Sequence, residues 1–182
     1  MPKQEVEANE FAGELLMPTQ VLARLLSGRE PSFALVELLA KEFSTSLTAT
    51  AYRFVEITGH ACAVVWSERG TTKWFRRSEE FAHWVRLREH LDERTFAADC
   101  FRGERVPDSP ETVPASAWLK GRLPDDAKVL EETRCVPSYS GALTLLWLPA
   151  PLDDNSQQDD EVLAELDPED FSLRRKTWPR RK

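Results

Sequence analysis

The spacing of apolar residues changes at Ala61, and this change constrains the fold more than any other feature of the chain. Before Ala61 they recur every three or four residues; after it they run together or alternate, so the chain must join a helical part to a sheet. Between Glu5 and Met17 the positions Val6, Ala8, Phe11, Ala12, Leu15 and Leu16 fall at helical intervals. Pro18 stops that segment, because proline lacks the N–H a helix interior needs. Thr19 is placed to cap a second helix carrying Val21, Leu22, Leu25 and Leu26, with Gly28 just past its end. Ser32 opens a third, with Leu35, Val36, Leu38, Leu39 and Phe43 on one side, and Ser44-Thr-Ser offers caps for a fourth over Leu47 to Ile57, ended by Gly59.

From Ala61 the texture is β-prone. Ala61-Cys-Ala-Val-Val-Trp is apolar, Glu68-Arg-Gly-Thr reads as a turn and Lys73-Trp-Phe-Arg alternates, which together predict a hairpin. Ser78, Glu80 and Phe81 begin a predicted helix running to about His90, and Pro107, Pro110 and Pro114 predict a loop over 103–115. Two further strands are predicted near 128–136 and 142–148, joined by Pro137-Ser-Tyr-Ser-Gly; the second is apolar on both faces, as a central strand would be. The fold class is therefore α+β, divided as 1–60 helical, 61–150 a hairpin with a small mixed region, and 151–182 a tail.

Charge sets the tail apart. The 182 residues carry 24 basic and 31 acidic side chains, a net charge of −7, which argues against a surface that coats nucleic acid or an anionic membrane. Residues 151–173 are acidic with no basic residue, and 174–182 close the chain with Arg174-Arg-Lys and Arg180-Arg-Lys. So few apolar residues there favour a solvated, flexible tail, with a basic tip touching nucleic acid as the other reading. The longest uncharged apolar stretch, Gly141 to Leu152, falls far short of the ~20 residues that span a bilayer. Met1-Pro-Lys-Gln-Glu-Val-Glu has no apolar signal core, so the expected location is the cytoplasm. Cys62, Cys100 and Cys135, odd in number and widely spaced, fit neither a disulfide framework nor a CxxC metal site.

The residues themselves outline no self-contained active site. His60, His83 and His90 belong to no HExxH, and seven helical residues would hold His83 and His90 about 10 Å apart, too far to share a zinc. Nucleophile elbow, P-loop and dinucleotide signatures are absent. The strongest local feature is Glu5-Val-Glu-Ala-Asn-Glu-Phe-Ala-Gly-Glu-Leu-Leu-Met-Pro. It reads either as an amphipathic helix with carboxylates favouring its dipole, or as a packed helix offering one carboxylate as a ligand.

That run, E-x-E-A-N-x-F-A-x-E-L-L-M-P, resembles the segment after the HExxH helix in the ImmA/IrrE family of zinc metallo-endopeptidases. Leu39-Ala40, Phe43 and Ser46, then Thr48-Ala-Thr-Ala-Tyr-Arg53-Phe, and the Cys62 to Trp66 hairpin with Trp74-Phe75-Arg continue the likeness, which covers residues 4–80 well. The resemblance implies that Glu5 is the third zinc ligand, with Glu7 two residues on as the alternative. In that family two histidines one helical turn apart bind Zn²⁺ and the glutamate between them activates its water. Those three residues are missing here, and one carboxylate cannot hold zinc. The chain alone is expected to bind no zinc and cleave nothing, and is read as a truncated or split peptidase, or else as a short protein that kept the regulatory half.

The resemblance also implies the substrate and the neighbouring modules. Family precedent is cleavage of a helix-turn-helix repressor, switching on stress or mobile-element genes. Longer members place a helix-turn-helix-like pair and a GAF-like region after the last peptidase helices. If the pair met DNA, Ser46, Leu47, Thr48 and Thr50, with Arg53 one turn later, would face the major groove. Few basic residues precede position 60, which weakens that reading. In the GAF-like region Phe101, Trp118, Tyr139 and Trp147 would line a pocket or fill a core. Apolar surface left by missing helices would favour a partner segment or a second copy of the chain.

Overall fold

A computed structural model describes residues 11–81, 86–121 and 123–149. Residues 11–16 are helical. Three helices follow: α1 (Thr19–Leu26), α2 (Phe33–Glu42) and α3 (Leu47–Ile57). Ser32 accepts from the Leu35 N–H and Ser46 from the Ala49 N–H, so both predicted serine caps are in place. Thr19 behaves differently. Pro18 occupies the cap position of α1, and the backbone N–H and hydroxyl of Thr19 instead donate to the Glu14 carboxylate, at 3.0 and 2.6 Å.

The strands β1 (Cys62–Glu68) and β2 (Thr71–Arg77) form the predicted hairpin. Arg69 and Gly70 both have positive φ, 50° and 75°, as the two-residue turn matching strand twist requires. The partners shift between Trp66 and Ser67, leaving Lys73 as the extra residue of a bulge. A two-residue strand β3 (Arg86–Leu87) then precedes α4 (Phe96–Arg102), β4 (Glu111–Pro114), α5 (Ala115–Trp118) and β5 (Leu119–Lys120). The long strand β6 (Lys128–Val136) and β7 (Gly141–Trp147) complete the chain as described. The main sheet is antiparallel in the order β2-β1-β7-β6-β4, and β3 pairs with β5 separately. Strand β7 is central, as its two apolar faces predict.

Alternation along the strands divides the core in two. On one face Cys62, Val64, Leu143 and Leu145 pack beneath α1–α3, around Leu22, Phe33, Val36, Leu39 and Phe54. On the other, Ala63, Val65, Val129 and Leu146 pack with Phe81, Ala97, Val113, Trp118 and Leu119. The α+β reading holds, with the helical part first.

Three local expectations need correction. Residues 86–90 are not helical: the Arg88 N–H donates to the Trp118 carbonyl and the Thr72 N–H to the Glu89 carbonyl, so tertiary partners take the groups a helix would use. Residues 82–85 of that predicted helix lie outside the described residues. The 103–115 segment contains strand β4, with Pro110 and Pro114 at its ends on the sheet edge, where a missing N–H is harmless. And Cys100 and Cys135 form a disulfide with their Cα atoms 5.6 Å apart. Spacing hid it, because 35 residues separate partners that the fold brings together.

Candidate functional site

Residues 13–19, in the described part of the motif segment and just after it, are held by one arginine. Arg53 lies on α3 with its side chain only 15% exposed. Its Nη2 donates to the Glu14 carboxylate and, at 2.8 Å, to the Thr19 hydroxyl; Nη1 donates to Glu56 at 3.1 Å and Nε to the Met17 carbonyl at 3.4 Å. Gly13 lies against the Arg53 side chain, within ordinary van der Waals reach of a Cβ. Glu56 also receives Arg76 at 2.9 Å, and Arg76 stacks over Tyr52. Hydrogen bonds from Thr19, with Arg53 beside them, hold the Glu14 carboxyl below the usual carboxylate range.

The same helical stretch presents an apolar surface outward. Phe11 is 71% exposed, Leu15 69% and Leu16 55%, while Met17 is buried. Phe11 and Leu15 are four residues apart, one above the other on a single face. Three large apolar side chains exposed within six residues form a contiguous patch, unlike scattered surface hydrophobics.

The groove-facing candidates are largely committed to the fold. Thr50 is buried, its hydroxyl bonded to Thr45 at 2.8 Å and to the Ser46 carbonyl at 2.9 Å. Ser46 is a cap and Arg53 is surrounded by carboxylates, whereas Thr48 is exposed. Glu5 lies outside the described residues. Among the described residues no three His, Cys, Asp or Glu side chains converge as metal ligands, so these residues do not fit a zinc centre. His60 Nε2 lies 3.0 Å from the Arg29 carbonyl and its ring meets Trp147 edge-on; His90 is exposed, and His83 lies outside the described residues.

The four aromatics do not line one pocket. Trp147 packs with the helical cluster, Trp118 and Phe101 with the opposite one, and Tyr139 is exposed. Two features escaped the sequence reading. Glu131 and Glu132, adjacent on β6, are both buried and point to opposite faces. Glu131 accepts from the Ala97 N–H of α4 at 2.8 Å, Trp118 Nε1 at 2.7 Å and the Thr133 hydroxyl at 3.0 Å. Glu132 accepts from the Phe33 N–H of α2 at 2.7 Å and pairs with Arg134 at 2.9 Å. One strand thus places a carboxylate on a helix N-terminus on each face, where charge and dipole agree. Burial outweighs these bonds for Glu131 and pushes its carboxyl up. In sequence, two adjacent carboxylates in the middle of a β-prone stretch were the available signal.

The fold and contacts define an α+β scaffold whose N-terminal helical segment is anchored on one side and apolar on the other. A family model described as the IrrE N-terminal-like domain (Peptidase_M78) matches residues 1–55, under a third of the chain. Over those residues the chain is similar to that peptidase domain, and the matched stretch contains the motif. No curated protein matches the chain. Among the described residues no helix is long and apolar enough to cross a membrane.

Proposed function

We propose that this chain is one part of a truncated or split ImmA/IrrE-type zinc endopeptidase, whose metal-binding histidines come from a separate HExxH-bearing segment. The observation that carries the reading is the exposed patch of Phe11, Leu15 and Leu16, on the helical stretch inside the matched residues. Its other side is fixed by Arg53, so the patch is presented rigidly and suits a packed helix. In the joined protein Glu5, or Glu7 beside it, supplies the third ligand, and the substrate is a helix-turn-helix repressor in cytoplasmic stress or mobile-element regulation. The alternative is a non-catalytic transcription-regulatory module that binds DNA or protein.

The test begins with the DNA upstream of the Met1 codon, read in all frames for HExxH. An HExxH-bearing segment found there and co-expressed with the chain should copurify in equal amounts, and Leu15→Asp should abolish copurification while leaving the chain folded. Failure to associate, or association indifferent to Leu15→Asp, would remove the split-peptidase reading and leave the non-catalytic one.

A further inference from the structure

We propose that Cys100 and Cys135 form a reversible thiol–disulfide latch that holds α4 on the sheet. The disulfide joins the last turn of α4 to the end of β6, and α4 packs across β6 and β7. With seven residues, α4 is too short to hold its own hydrogen bonds in water. It buries Ala97 fully and only half-buries Phe96 and Phe101. Its N-terminus is held by Thr95, which accepts from the Ala98 N–H at 3.2 Å, and by Glu131, which accepts from the Ala97 N–H. The C-terminal turn has Gly103 in the left-handed conformation and the disulfide as its covalent attachment.

Access makes the latch reversible. Cys135 is exposed beside the Pro137–Tyr139 turn, whereas Cys100 is half-buried. A small thiol of the glutathione class attacks Cys135 Sγ, the S–S bond breaks, and Cys100 leaves as a thiolate that takes up a proton. A second small thiol attacks the mixed disulfide, releasing the Cys135 thiol and one small-molecule disulfide; two electrons and two protons have passed to the protein. The reverse sequence, driven by the small-molecule disulfide, closes the latch. In a reducing compartment the pair rests as thiols and closes on oxidation. Cys62 takes no part, because it is buried on the opposite face of the sheet and burial pushes its thiol up.

The full chain, equilibrated in glutathione buffers of graded ratio, tests the latch by alkylation mass spectrometry and amide exchange. Cys100 and Cys135 should open and close together while Cys62 stays unlabelled. Exchange across 96–103 should be at least tenfold faster in the reduced protein, with 33–57 unchanged. Cys135→Ser should exchange fast at every ratio, as should Cys100→Ser. Equal exchange in the two forms, a disulfide that resists every ratio, or two thiols that never pair would each overturn the proposal.

Discussion

Glu131 should be the costliest polar side chain to remove. Truncation to Ala takes away a carboxylate with three donors, of which Thr133 retains Thr144 at 2.9 Å. Two buried donors remain orphaned, the Ala97 N–H and Trp118 Nε1–H, at roughly 1–3 kcal/mol each. The space left adds on the order of 1 kcal/mol, and release from carboxylate desolvation returns a comparable amount or somewhat more. The net loss is about 3 kcal/mol, which for a protein of this size lowers Tm by roughly 6–12 °C. Adding Trp118→Phe to Glu131→Ala removes one orphan, so the double-mutant cycle should show about 1–2 kcal/mol of coupling. Because burial raises the Glu131 carboxyl above its unfolded value, its contribution is full below that value and fades as pH rises through the folded one. Acidifying from neutrality should therefore stabilise the native protein more than Glu131→Ala, in denaturant titrations at each pH. Additive mutations, or a single-mutant loss under about 1 kcal/mol, would refute the reasoning.

Gly141→Ala should destabilise by about 1–3 kcal/mol, because a Cβ there would collide with the Trp66 ring; thermal unfolding reads it. Arg53→Ala should release residues 11–17 from α3, seen as amide exchange at least tenfold faster there, with 62–77 unchanged. Asp92 is held at about 2, chiefly by its hydrogen bond from Arg94. Its stabilising contribution is present above the ordinary carboxylate value and disappears as pH falls towards 2; Asp92→Asn should flatten that limb of the stability–pH curve.

What the sequence made legible follows the range of the interactions. The helices with serine caps and the Arg69-Gly70 hairpin were readable because each is settled within four residues of its signal. Strand β7 was readable as central because burial on both faces removes polar alternation. The α4 helix was missed although Thr95 and Gly103 bracket it, since seven residues carry no clear period and its support comes from Glu131 on a distant strand. The same distance hid the disulfide and the pairing of Leu87 with Leu119. For the candidate site, the motif fell within the stretch that the family model matches, but Arg53 gave no sign that its guanidinium is consumed by Glu14, Thr19 and Glu56. Thr50, expected to face a groove if the helix pair met DNA, is buried against Thr45 at the turn between α2 and α3.

Zinc stoichiometry tests the central claim most directly. The 182-residue chain and the same chain joined to the proposed HExxH-bearing segment would each be equilibrated with zinc, desalted and assayed for bound metal, alongside Glu5→Gln and Glu7→Gln in the joined protein. The account predicts one tightly held zinc in the joined protein, weakened at least tenfold by Glu5→Gln or by Glu7→Gln, and none in the chain alone. Stoichiometric zinc in the isolated chain, or a joined protein indifferent to both substitutions, would contradict it.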